Sequence, residues 1–466
     1  MSLESERPKL ENGQKIFDPT GNVYEIIKKL GEGRCAVVYE ALDVTNKRHI
    51  ALKVYNSGLR YEGAFQREIT VLETLQSLNK KVCAVKLYGT FQTIHHHYVI
   101  LELLECNLRQ ILFKNNKQGF SLWGVQKFAK DIFSGLAVLH SQRMVHADLK
   151  PANIHWCPQH GCYKLLDFGL SFHLTEEDIH QVQSMGYQAP EVYVWNRFKQ
   201  QKLCNGCEDI GSCFQETSDH IKGKSFRKSS LKKGKTKSTD NNQEESKVTY
   251  LKPGLAIDVW SVGCLLMEIT TGRKFFKDND FYHKVKKMVH HELTPFESNI
   301  HNMIDDQLAE VWDHYQRDGL EVAACFELLK DLIHKCFDMN PSQRLSSEAA
   351  LHHPFLQLQL EPLLTDCLIL TSKVLLLMNI ADPTNGETTH QDKDVSELLE
   401  ECNRRGPVLQ TFLSLNGSLA GSVLINYKYF QDCQRAVHKL RNYVINGRNV
   451  IAAFYPLEMF EKLNRV

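Results

Sequence analysis

His146-Ala147-Asp148-Leu149-Lys150-Pro151-Ala152-Asn153, with Asp167-Phe168-Gly169 beginning fourteen residues further on, decides the reading of this 466-residue chain. An Asp, a Lys two positions on and an Asn five positions on can all face one bound phosphate group and its metal ion. Asp148 can accept the proton of a substrate hydroxyl, and Lys150 can steady the transferred γ-phosphate. Asn153 and Asp167 supply the donors that hold Mg²⁺ against the phosphates of ATP. Either motif alone is modest evidence. Both together, in order and at this spacing, imply phosphoryl transfer with ATP and Mg²⁺ as cofactors.

The sequence before this stretch contains the parts such chemistry needs. In Leu30-Gly31-Glu32-Gly33-Arg34-Cys35-Ala36-Val37-Val38, Gly31 and Gly33 allow the backbone to approach a phosphate closely. Val38 is placed to cover an adenine, and Ala36 stands where a third glycine is usual. Ile50-Ala51-Leu52-Lys53 is a buried-strand pattern ending in a charge. A buried lysine needs a counter-charge, and the helical spacing of Phe65 to Leu72 nominates Glu68. Tyr98 to Leu104 reads as a buried strand entering a connector between two lobes, whose backbone at Glu102 and Leu104 can bond adenine.

These motifs resemble those of eukaryotic protein kinases over residues 23–355, which implies a bilobal fold of the α+β class. Gly186-Tyr187-Gln188-Ala189-Pro190-Glu191 is similar to the end of a kinase activation segment. Asp258-Val259-Trp260-Ser261-Val262-Gly263 is similar to the central helix of the large lobe. The resemblance implies that Arg344 partners Glu191 and that Ser184 bonds Asp148 and Lys150. Lys150 itself resembles the serine/threonine class. Two positions depart from the family. Ala147 replaces the arginine that usually pairs with a phosphate on the activation segment, so activity is expected without that phosphorylation. Gln188 replaces an arginine common in proline-directed kinases, which leaves preference for proline open. A non-catalytic scaffold is the competing reading, but Lys53, Asp148, Asn153 and Asp167 are all present.

Composition narrows the classes further. The chain is 42% hydrophobic with a net charge of +1, enough for large cores and without a global field toward nucleic acid or membrane. No apolar run approaches the roughly 20 residues that span a bilayer. The fourteen cysteines are scattered and read as reduced thiols of a cytosolic or nuclear protein. Residues 198–250 form an insert whose composition changes abruptly. Eight Lys/Arg lie between Lys222 and Lys237, with almost nothing apolar to bury. The insert reads as disordered, with a nuclear-localisation or nucleic-acid patch as the sharper alternative. Cys204 and Cys207, with Cys213 and His220, have partial zinc-ligand spacing, and free thiols are the simpler state. His95-His96-His97 reads as a solvated turn.

After a linker over 356–372, residues 373–457 read β-α-β-β-α-β. Strands are expected at Val374–Ile380, Val408–Leu415, Gly421–Tyr427 and Asn449–Tyr455, with helices at about Lys393–Arg404 and Tyr429–Leu440. This order resembles an RNA-recognition motif. That fold stacks bases on aromatic side chains, but the corresponding positions here are Leu376, Ser422 and Leu424, which argues against RNA readout by the sheet. Asp394, Glu397 and Glu401 instead form a negative stripe on the first helix. With Glu400-Glu401-Cys402, Gly406-Pro407-Val408 and Leu166 to Phe172, the chain resembles kinases that end in a U2AF-homology motif. That resemblance implies a nuclear protein whose substrates include splicing factors or a tubulin regulator at Ser-Pro sites. It also implies that the last domain binds Trp-containing basic peptides of splicing factors. The family's Arg-x-Phe turn falls on Tyr443-Val444-Ile445, which has neither residue; Arg441-Asn442-Tyr443 is a similar triplet two positions earlier.

Overall fold

The structure, a computed structural model, describes residues 7–78, 83–205, 252–276, 294–316, 320–380, 388–414, 419–441, 443–445 and 447–463. The stretch 222–237 and Cys207, Cys213 and His220 lie outside them, as does the side chain of Cys204, so the choice there between free thiols and zinc lies outside the described residues.

The smaller lobe is a six-stranded antiparallel sheet with one long helix. Its strands are β1 (Lys15–Phe17), β2 (Val23–Glu32), β3 (Ala36–Asp43), β4 (Arg48–Tyr55), β5 (Leu87–Gln92) and β6 (His97–Glu102), in the order β1-β2-β3-β4-β6-β5. The β-branched and aromatic residues of β3 and β4 alternate between two faces, one of which forms a core around Tyr24, Ile50, Leu52, Val54 and Tyr98. Helix α1 (Leu59–Ser77) covers the other face through Phe65, Ile69 and Leu72. The three histidines before Tyr98 are not simply a solvated turn. His97 stacks on Phe65 at 4.3 Å, and its Nε2 lies 2.6 Å from the Glu62 carboxylate.

The larger lobe is helical. It contains α2 (Leu108–Lys114), α3 (Leu122–Ser141), α4 (Pro190–Asn205), α5 (Ala256–Thr271), α6 (Thr294–Gln316), α7 (Leu320–Cys336), α8 (Ser347–Leu351) and α9 (Pro354–Gln357). Four short strands complete it: β7 (Met144–Val145), β8 (Ile154–Cys157), β9 (Cys162–Leu165) and β10 (Phe172–His173). Helices α3 and α5 are apolar nearly all round and buried nearly all round, as their composition demands. Gly263 lets α5 lie against α7: a Cβ there would sit 2.9 Å from the Cβ of Cys336. Helix α4 continues to Asn205, past the point at which the sequence suggested that the insert begins.

The C-terminal segment contains α10 (Leu364–Ile369), β11 (Val374–Met378), α11 (Thr388–Asn403), β12 (Val408–Ser414), β13 (Ser422–Tyr427), α12 (Phe430–Leu440), β14 (Val444–Ile445), β15 (Arg448–Asn449), β16 (Ile451–Tyr455) and α13 (Leu457–Leu463). Four strands pair antiparallel in the order β12-β13-β11-β16, so the order of elements expected from the sequence is present. Two details differ. Helix α11 starts at Thr388, five residues before the expected start, and Val444 and Ile445 lie in a β14–β15 hairpin that the sequence reading lacked.

Each face of this sheet is covered. Leu375, Leu377, Val423, Ile425 and Phe454 pack under α11 and α12. Val374, Leu376, Leu424, Ala453 and Tyr455 belong to the core of the large kinase-like lobe. Leu376 is 2% exposed and Leu424 is fully buried, so the positions at which stacked bases were considered lie inside protein. The segment 356–372 takes part in this packing, with Cys367, Leu370 and Ser372 buried. Polar contacts fix the junction. Ser121 caps α3 and donates to Asp366 Oδ2 at 2.7 Å, Gln159 bonds the backbone of both Lys428 and Phe430 at 2.9 Å, and Lys127 lies between Asp131 at 2.8 Å and Glu458 at 3.2 Å.

Candidate active site

The sheet of the small lobe builds one wall of the site. Gly31, Val38, Lys53 and Val99 are successive cross-strand partners, so the glycine loop, the valine expected to cover adenine and the lysine lie in one row. The loop itself closes tightly, with Gly33 N–H donating to Ala36 C=O at 2.8 Å. Within that row the Lys53 Nζ donates to Glu68 Oε1 at 2.8 Å and to Asp167 Oδ1 at 2.9 Å. Burial works against the Lys53 charge, but Asp167 and Glu68 outweigh it and hold the ammonium well above its ordinary value. In return the Lys53 charge brings the Asp167 carboxyl down to about 2, so this carboxylate is ionised throughout the physiological range. Tyr55 was missed by the sequence reading. Its hydroxyl donates to the second oxygen of Glu68 and fixes that carboxylate from behind.

Glu102 and Leu104 lie at the start of the connector. Ile50 on β4 pairs with Glu102, whose own N–H is taken up by Lys86 C=O at 3.0 Å. The Glu102 carboxylate points away, accepting from Lys86 N–H and from Lys164. What Glu102 can offer a base is therefore its carbonyl rather than its side chain.

The opposite wall comes from the loop between β7 and β8. Asp148 is the hub. Its Oδ1 accepts from Ser184 Oγ at 2.7 Å, and its Oδ2 accepts from Lys150 Nζ at 2.6 Å and Asn153 Nδ2 at 3.1 Å. Lys150 also donates to Ser184 Oγ at 3.1 Å. Asp258, at the start of α5, sets the loop. Its oxygens accept from the N–H of His146 at 2.8 Å and of Ala147 at 2.9 Å, with His140 Nε2 3.0 Å away. Ala147 is held at φ 66 and is fully buried.

Two neutral amides, those of Gln183 and Asn196, hold the later part of the activation segment. The Gln183 side chain donates to Ile257 C=O and Ser261 Oγ, both at 2.8 Å, and accepts from Ala189 N–H at 2.9 Å. Asn196 bonds both the N–H and the C=O of Val182. Arg67, on the same helix as Glu68, donates to Gly169 C=O at 2.9 Å. Below this segment Arg344 makes two bonds to Glu191, at 2.7 and 3.2 Å.

The structure thus brings Lys53, Glu68 and Asp167 into one cluster and Asp148, Lys150, Asn153 and Ser184 into another, and the two are tied together where Leu166 N–H, next to Asp167, donates to Asn153 C=O at 2.9 Å. This arrangement can grip a triphosphate on one side and orient a hydroxyl on the other. A model of the protein kinase domain family matches residues 24–205 and 247–356, and the chain belongs to this family. It is a protein serine/threonine kinase. It is 29% identical to the serine/threonine-protein kinase Kist of Homo sapiens over 464 residues, 96% of this chain and 95% of that one. The Rattus norvegicus Kist is 28% identical over the same shares. The human dual specificity tyrosine-phosphorylation-regulated kinase 3 is 24% identical over 370 residues, 72% of this chain and 53% of that protein. The family uses ATP and Mg²⁺ and acts on proteins. Among the described residues no helix is long and apolar enough to cross a membrane.

Proposed function

We propose that this kinase transfers the γ-phosphate of ATP to serine or threonine hydroxyls followed by proline, and that its C-terminal segment is a U2AF-homology-type partner domain. In this reading Lys53, held by Glu68, positions the α- and β-phosphates. Asp148 orients the acceptor hydroxyl and takes its proton, and Lys150 neutralises charge on the transferred group. Asp167 and Asn153 fit Mg²⁺, since an ionised carboxylate and a nearby amide are the oxygen donors that ion prefers. The ion, when bound, supplies charge neutralisation at the phosphates. Val38, Glu102 and Leu104 enclose the adenine.

One observation carries the preference for proline. Gln183 has φ 62, and its carbonyl accepts from Gln188 Nε2 at 3.1 Å. It immediately precedes Ser184, which touches Asp148. An acceptor that would otherwise pair with the N–H of the residue after the target is thus already taken. Proline, which has no N–H, loses nothing there. Gln188 therefore takes the part that the sequence comparison assigned to arginine. The test is phosphate transfer from labelled MgATP to a Ser/Thr peptide library. Wild type is expected to select proline at the following position, and Gln188→Leu to lower that selectivity about tenfold, the worth of one hydrogen bond. Equal use of proline and alanine by wild type sinks the idea. Phosphatase-treated enzyme is expected to keep its full rate in the same assay, because Ala147 stands where a phosphate-binding arginine is usual and the Gln183 and Asn196 amides hold the segment without a phosphate.

For the C-terminal segment, the support is that its sheet face is packed away while the α11 side stays open. Glu397 and Glu400 are exposed on α11, and Glu401 is shared with Arg404 and Arg405. Basic Trp-containing splicing-factor peptides are expected to bind there; a dissociation constant weaker than about 1 mM, worth only about 4 kcal/mol, removes this reading.

A further inference from the structure

The connector between the lobes is gripped from outside the kinase domain. Glu105 follows Leu104 directly, and its polar groups are engaged on two sides. Its N–H donates to Trp156 C=O at 3.2 Å, and its C=O lies 3.2 Å from His155 Nδ1, both on β8. Its carboxylate accepts from the Thr371 hydroxyl. Thr371 also accepts, through its carbonyl, from Trp156 Nε1 at 2.6 Å. It lies beyond residue 356, where the kinase family match ends, and three residues before β11 begins. A single residue of the C-terminal segment thus ties the connector to the strand that leaves the catalytic loop at Asn153.

We propose that Thr371 is a positioning residue for ATP: it fixes Glu105 and so holds the connector backbone at Glu102 and Leu104 in register with the adenine. This rests on the reading of those two residues as the adenine contacts. The bond is charge-assisted and its donor belongs to a rigid segment, with Ser372 buried and bonded to Val374 N–H at 3.1 Å. Removing it frees the Glu105 side chain without touching phosphates, metal donors or Asp148. The effect should therefore fall on nucleotide affinity and spare the chemical step.

The experiment compares full-length wild type, Thr371→Val and Thr371→Ser. Valine keeps the shape and loses the donor. Its KM for ATP is expected to rise about 3–10-fold, as for loss of one charge-assisted bond that orders a loop. The kcat at saturating ATP and the KM for peptide should stay at wild-type values, and serine should restore the KM for ATP. An unchanged KM for ATP in Thr371→Val overturns the proposal. So does a fall in kcat together with a lowered melting temperature, which marks a purely structural role. Wild-type turnover of an ATP analogue dimethylated at the 6-amino group separates the two readings. If wild type uses it as well as ATP, the adenine contacts themselves are misassigned. If it is rejected while Thr371→Val behaves as wild type, only the role of Thr371 fails.

Discussion

Asp148→Asn is expected to lower kcat by about 10²–10⁴, with the KM for ATP nearly unchanged. The two oxygens of Asp148 gather Ser184, Lys150 and Asn153, so all three donors aim at one carboxylate. Asparagine keeps the size but offers only one acceptor, and it cannot take a proton. None of these bonds involves Lys53 or the Asp167 carboxylate, the groups proposed to bear on the nucleotide. The change should thus split kcat from KM. Steady-state transfer from labelled ATP measures both, and a kcat within threefold of wild type would place the proton elsewhere.

The second large effect concerns stability. Arg344→Ala should destabilise the large lobe by about 3–5 kcal/mol, because it leaves the Glu191 carboxylate buried without its partner. The Arg344 side chain is fully buried and that of Glu191 is 6% exposed, so water does little to compensate. Arg344 also donates to Ala256 C=O at 3.0 Å and to Asp338 C=O at 2.9 Å, and it lies 5.0 Å from the centre of the Trp260 ring. Removing both charges, with Arg344→Leu and Glu191→Leu together, should recover part of the loss, since no unpaired charge then remains. Urea unfolding of the single and double variants gives the comparison. Equal losses in Arg344→Ala and the double variant would mean that the carbonyl bonds matter and the ion pair does not.

The proposed catalytic residues were legible because their chemistry fixes residue type and spacing at once. Asp148, Lys150 and Asn153 sit in one short loop, and Lys53 and Asp167 each end a recognisable pattern. The pairing of Glu68 with Lys53 could be read from the need of a buried lysine for a counter-charge together with the helical spacing of Phe65 to Leu72. What supports these groups was not legible. Tyr55, Gln183 and Thr371 act through bonds to residues that no periodicity connects with them; Thr371 lies 266 positions from Glu105. One overlooked signal did exist. Val374-Leu375-Leu376-Leu377 has no polar alternation, the mark of a strand buried on both faces. The absence of aromatic side chains at Leu376 and Leu424 argued against RNA. The presence of leucine there already pointed to a covered face.

That covered face has a consequence for how the chain is made. Trp156 and Thr371, bonded in the finished protein, are 215 residues apart. At the usual 5–20 residues per second, a ribosome needs about 10–40 s to pass from one to the other. From the completion of the large lobe until Tyr455 has been made, a further stretch of about 100 residues, the apolar flank that Val374, Leu376, Leu424 and Tyr455 later close faces water. Such a long-lived exposed flank is the kind of surface that chaperones bind, and a stop codon shortly after residue 356 would make the exposure permanent.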